Sequence, residues 1–174
     1  MKKAFITGIG GQDGSYLAEY LLKLDYEVYG IVRRNSTPEH QQSRLDGIRN
    51  NPKLHVSYGD LNDTPGIERL LRTINPDEVY NIAAQSHVRI SYEIPQYTAR
   101  TNSIGVLNML EAVRNNCPNA KFYQASSSEM FGSSVDEDGF QRESTRMTPV
   151  SPYGCAKVFG YNIVKNYRNA YKLH

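Results

Sequence analysis

"FITGIGGQDG", residues 5–14, decides the fold. A short apolar run ends at Thr7, and Gly8, Gly11 and Gly14 follow at intervals of three. Beyond them Tyr16, Leu17, Tyr20, Leu21 and Leu24 recur at helical spacing, so the glycines stand where a strand hands over to a helix. That context is far more specific than glycine spacing alone. Gly8 permits a tight turn, Gly11 lets the backbone approach a pyrophosphate, and Gly14 lets the helix lie close to the sheet. Gly10 gives the loop more freedom. The helix start then offers free N–H groups and the positive end of its dipole to phosphate oxygens. The alternative is an ordinary glycine-rich turn.

Working outward, short apolar runs alternate with helical periods. Residues 4–7, 27–32 ("EVYGIV"), 54–58 ("LHVSY"), 78–84 ("EVYNIAA") and 121–126 ("KFYQAS") read as strands. Ile67, Leu70, Leu71 and Ile74 form one face of a helix that "NDTP" starts, with Asp63 or Thr64 as cap and Pro65 in the first turn. A long helix is expected from about Tyr97 to Arg114, with Ile104, Leu107, Leu110 and Val113 turned inward. A last helix begins at "SPYGCAK" with a Ser cap and a Pro, and a sixth strand is expected after it. Strand–helix alternation of this length predicts an α/β fold, a Rossmann-type doubly wound parallel sheet covered on both faces. Residues 35–52 and 133–151 are expected to be irregular connections.

The bulk numbers narrow the function classes. A length of 174 residues suggests one domain, expected to be an incomplete one. Twenty Lys and Arg against eighteen Asp and Glu leave a net charge of +2, which gives no reason to expect nucleic acid or a membrane as partner. No apolar run approaches the ~18 residues of a membrane span. Cys117 and Cys155 lack metal spacing and read as reduced thiols of a cytoplasmic protein. His40, His55, His87 and His174 have no ligand spacing, so no metal is expected. The acidic run 136–139 reads as a solvated loop.

An acidic residue at the end of the second strand would bind a ribose 2′-hydroxyl; this chain has Arg33, Arg34 and then Ser36. Guanidinium groups beside a small hydroxyl suit a 2′-phosphate, so NADP is the expected cofactor. A solvated charge pair is the alternative. Asp60, ending the third strand, either accepts from the adenine amino group or caps its own loop. Tyr153 and Lys157 lie four apart at a helix start and share one face, where an ammonium would stabilise a phenolate. In "SSSEMFG", residues 126–132, Ser127 and Glu129 follow the fifth strand at the sheet edge where ligands bind in open α/β sheets. Serine, tyrosine and lysine suit oxidation of an alcohol. Glu129 adds a base able to remove a proton beside the new ketone; otherwise it is a solvated loop carboxylate.

"ITGIGGQDGSYLAEYLL", "GIVRRNS", "YGDLND", "YNIAAQSHV", "FYQASSSEMFG" and "SPYGCAK" together resemble the extended short-chain dehydrogenase/reductase family and, within it, the GDP-mannose 4,6-dehydratases. The resemblance implies catalytic roles for Ser127, Glu129, Tyr153 and Lys157, with Ser127 where the family more often has Thr. It implies that Gly8, Gly11, Gln12, Asp13, Arg33, Asp60, Leu61, Ala83 and Gln85 line the NADP site, with Ser86 near cofactor or substrate. It also implies a dimer or tetramer in which the double-arginine loop reaches a neighbour's cofactor. Chains of that family are about twice as long, so a C-terminal substrate domain is expected to be missing and residues 1–174 to be an incomplete NADP-binding domain that carries the catalytic residues. The implied activity converts GDP-mannose to GDP-4-keto-6-deoxymannose. The rivals are dehydration of another nucleotide sugar such as a GDP-heptose, a sugar-nucleotide epimerase, which needs no carboxylate at 129, and a non-catalytic NADP sensor, which needs neither Tyr153 nor Lys157.

Overall fold

The structure, a computed structural model, describes residues 1–34 and 43–174. Ser36 and His40, named above, lie outside the described residues. Five strands form one sheet: β1 (Lys3–Thr7), β2 (Glu27–Val32), β3 (Leu54–Tyr58), β4 (Glu78–Asn81) and β5 (Lys121–Gln124). All neighbours run parallel, in the order β3-β2-β1-β4-β5. The chain leaves β1 toward β2 on one side and returns to β4 on the other, so the connections part above the carboxyl end of β1. Strand β1 is apolar at Ala4, Phe5 and Ile6 because both its faces are covered. Ala4 and Ile6 join one cluster with Ile9, Ala18, Leu21, Val28 and Leu45. Phe5 joins the other, with Val79, Phe122, Leu71, Met109, Leu110 and Val113.

The helices show where period and packing diverge. Helix α1 (Gln12–Lys23) buries Leu21 and the small residues Gly14, Ser15 and Ala18 against the sheet. Tyr16, Tyr20 and Leu24 repeat every four residues on the solvent side and are exposed. Helix α2 (Thr64–Ile74) begins as expected: Asp63 caps it by accepting from Gly66 N–H, and Pro65 stands in the first turn. A short helix α3 (Val88–Glu93) precedes α4 (Pro95–Ala99).

The single helix expected over 97–114 is instead α4, a π-helical turn at Arg100–Ile104, and α5 (Gly105–Asn116). Ile104 is 46% exposed, against expectation, while Leu110 and Val113 are buried. Residues 104 and 113 are nine steps of about 100° apart, half a turn out of phase, so they cannot both face the core. The buried stripe is Val106, Met109, Leu110 and Val113. Strands β4 and β5 end earlier than expected, at Asn81 and Gln124, where the backbone turns away to form the site. Helix α6 (Pro152–Tyr171) follows a loop in which the 136–139 run is not merely solvated: Asp136 and Asp138 hold Arg142.

Candidate active site

A cleft of about 510 Å³ opens at the carboxyl edge, where the connections part. Its wall includes Gly8, Gly11, Gln12, Asp13 and Gly14 after β1, and Arg33 after β2. Asp60 and Leu61 after β3, and Ala83 and Ser86 after β4, complete that part of it. The glycine loop fits a diphosphate. Gly8 has φ +70°, and a Cβ on Gly14 would stand 2.3 Å from the Gly8 carbonyl oxygen, so the loop closes only with hydrogen there. Gly11 caps α1 with no side-chain acceptor, which leaves first-turn N–H groups for an anion.

Arg33 lines the cleft with its guanidinium carbon 5.7 Å from the Tyr97 ring centroid. Among the described residues no carboxylate pairs with it. Asp60 both lines the cleft and caps its loop, one carboxylate oxygen accepting from the Asn62 backbone and side chain at 2.9 and 3.0 Å. Gln85 is not part of the cleft wall. Its backbone N–H and C=O are both clamped by the Asn102 side chain at 2.8 Å, which ties the β4 exit to the π-helical turn. Its side-chain oxygen is buried with no partner among the described residues.

The other expected residues gather beside the end of β5. Ser151 caps α6 by accepting from Gly154 N–H at 3.0 Å, and this first turn presents Tyr153. Tyr153 and Lys157 are 8% and 6% exposed, and the ammonium nitrogen stands 5.6 Å from the phenol ring centroid. Lys157 donates to the Ala125 carbonyl at 2.9 Å. Burial pushes its pKa below the ordinary lysine value. Ser127 caps a one-turn 3-10 helix, Ser128–Met130, by accepting from Glu129 N–H. That turn is seated directly on α6: a Cβ on Gly154 would lie 2.6 Å from the Glu129 carbonyl oxygen. Glu129 is half-buried, and nothing among the described residues hydrogen-bonds its carboxylate. Phenol, hydroxyl and carboxylate therefore sit on two adjoining turns, with the ammonium one turn further along α6.

Tyr97, Thr101 and Asn102 were not singled out in the sequence, yet Tyr97 and Thr101 line the cleft and Asn102 holds the β4 exit. The signal was the polar run "RTNS" inside an apolar helical period, a position where π-turns and buried polar clamps occur.

A parallel doubly wound sheet with a glycine-loop cleft and a Tyr–Lys pair on the following helix defines a nucleotide-binding domain of the short-chain dehydrogenase/reductase kind. Solved structures agree with this. The fold matches a UDP-glucose 4-epimerase from Thermus thermophilus, solved in complex with NAD, with a TM-score of 0.84 and 28% identity, covering 98% of this chain and 52% of that one. It matches a dTDP-glucose 4,6-dehydratase from Streptomyces venezuelae, solved with NAD bound, with a TM-score of 0.86 and 26% identity over 98% of this chain and 53% of that one. More specifically, the chain belongs to the GDP-mannose 4,6-dehydratase family, whose model matches residues 5–174. A GDP-mannose 4,6-dehydratase from Yersinia enterocolitica is 50% identical over 181 residues, spanning 100% of this chain and 48% of that protein. The Homo sapiens GDP-mannose 4,6 dehydratase is 46% identical, over 98% of this chain and 47% of its own length. The chain thus spans about half the length of the curated relatives it matches.

Proposed function

We propose that the full-length protein is a lyase, a GDP-mannose 4,6-dehydratase, and that residues 1–174 are its NADP-binding domain and carry its catalytic side chains. The observation that carries the reading is the seat of Glu129: a half-buried residue whose carboxylate has no partner among the described residues, on a turn whose backbone packs against Gly154, the residue after Tyr153. Simple alcohol oxidation and epimerisation have no use for it. The family membership supports the same choice.

The uncapped start of α1 and the glycine loop would hold the diphosphate, Asp60 and Leu61 would flank the adenine, and Arg33 would pair with the 2′-phosphate. Gln85 and Ser86 would meet the cofactor or sugar beyond Ala83. NADP, when bound, would supply a reversible hydride acceptor for the oxidation at carbon 4 of the hexose and the reduction at carbon 6. The Tyr153 phenolate accepts the proton of the 4-hydroxyl, with Lys157 stabilising the phenolate and Ser127 holding the hydroxyl. The resulting ketone acidifies the hydrogen on carbon 5, and Glu129 removes it. The 6-hydroxyl leaves as water with a proton from one of Glu129 and Tyr153, and the other returns its proton to carbon 5 as carbon 6 is reduced, so both side chains end as they began. No net redox change occurs, so the cofactor stays in place. A dimer or tetramer in the cytoplasm is part of the proposal.

Full-length protein incubated with GDP-mannose and NADP should give a product lighter than GDP-mannose by one water, read by mass. Return of unchanged GDP-mannose, or of its epimer, would overturn the reading.

A further inference from the structure

Thr7, Asn81 and Gln124 are the last residues of β1, β4 and β5, and they are in register across the three strands. Their side chains form one directed hydrogen-bond chain. Thr7 Oγ1 receives the backbone N–H groups of Ile82 and Ala83, each at 3.1 Å. With its acceptor capacity used, its own proton goes to Asn81 Oδ1 at 2.6 Å. That sets the Asn81 amide, so Nδ2 donates to Gln124 Oε1 at 2.7 Å. The Gln124 amide is set in turn, and its Nε2 donates to the Ala125 carbonyl at 3.0 Å. Lys157 donates to that same oxygen at 2.9 Å. Two backbone N–H groups at the cleft wall thus determine the sense of every bond out to the ammonium. The Ala125 peptide is held at its other end too, its N–H donating to Asn81 O at 3.2 Å.

We infer that Gln124 is a positioning residue for Lys157: through the Ala125 carbonyl, the Thr7–Asn81–Gln124 chain aims the ammonium at the phenol and at the cofactor ribose. The inference rests on the catalytic role proposed for Lys157 and on the same ammonium holding the nicotinamide ribose when the cofactor is bound. Lys157 is a buried cation, and among the described residues the Ala125 oxygen is its one hydrogen-bond acceptor. A charge with one acceptor is aimed by whatever fixes that acceptor's plane. Lateral chains of oriented amides also polarise each other, so loss of one link is felt at the end.

Gln124→Met keeps the length of the side chain and removes its donor and acceptor. In the full-length protein it should lower kcat about tenfold, with KM for GDP-mannose within about twofold, and weaken NADP binding severalfold by calorimetry. In a Lys157→Met background the same change should cost less than about twofold in kcat and in NADP affinity, because the group it aims is gone. Equal losses in both backgrounds, or no loss in either, overturn the inference. If melting shows Gln124→Met unfolded, Thr7→Ser and Thr7→Val replace it. The serine retains the hydroxyl and should match wild type; the valine should reproduce the loss. Identical behaviour of these two variants also overturns the inference. Wild-type protein that binds NADP but leaves GDP-mannose unchanged would fail the proposed activity alone, and the NADP-affinity cycle would still test the chain.

Discussion

At the scale of single residues, the role proposed for Glu129 separates two outcomes of the same first step. In the proposed reaction, oxidation at carbon 4 would use only Tyr153, Lys157 and Ser127, whereas loss of water would need a base at carbon 5. Glu129→Gln preserves shape and removes the base. Dehydration should fall by about 10²–10⁴-fold while oxidation of the cofactor-facing carbon persists, seen as reduced cofactor accumulating in its absorbance band. Unchanged turnover would remove Glu129 from the chemistry. A second residue-scale test concerns pH. Burial, then the hydrogen bond to Glu111, pushes the Tyr167 pKa from 10.0 up to about 12. A raised acid of this kind contributes stability below its unfolded pKa and loses it as pH rises through the folded value. Wild-type melting temperature should therefore drop more steeply between pH 10 and 12 than that of Tyr167→Phe, with Tyr29 and Tyr80, also raised by burial, leaving a residual slope in both.

At the scale of elements, the start of α1 and the start of α6 do the positioning. Gly14→Ala puts a Cβ against the Gly8 carbonyl oxygen, a backbone atom that cannot swing aside. It should cost about 1–3 kcal/mol by denaturant titration and reduce NADP binding more than it reduces stability. Ser151→Ala removes the cap that anchors the Tyr153 turn and should cost about 0.5–2 kcal/mol. Both starts were legible in the sequence because caps, prolines and glycines act locally. The strands were legible as short runs rich in β-branched and aromatic residues, most clearly in β1, which is buried on both faces, and least in the edge strand β3, which is mostly exposed. The π-helical turn was not legible. Its cause is tertiary, the clamp between Asn102 and Gln85, and a period count carried straight through it misplaces Ile104. Likewise Tyr16, Tyr20 and Leu24 share a helical spacing with the core residues, and only the close approach of Ala18 to the sheet shows which face turns inward. Ser127 and Glu129 were legible as residue types after a strand, whereas their seat on Gly154 joins positions 25 apart and depends on packing.

At the scale of the whole molecule, the sheet gathers loops from four strands around one cleft, and binding there should stabilise the fold. NADP at about 100 times its Kd should raise stability by about 2.7 kcal/mol, read as a shift in melting temperature. If Arg33 reads the 2′-phosphate, Arg33→Ala should shrink the preference for NADP over NAD about tenfold, a loss of ~1.4 kcal/mol. The central claim is that one bound cofactor moves a hydride from carbon 4 to carbon 6 of the same sugar. It is tested most directly by giving full-length protein GDP-mannose carrying deuterium at carbon 4. The account predicts a 4-keto-6-deoxy product with that deuterium on carbon 6. A product that has lost the deuterium to solvent, or that keeps its 6-hydroxyl, would contradict it.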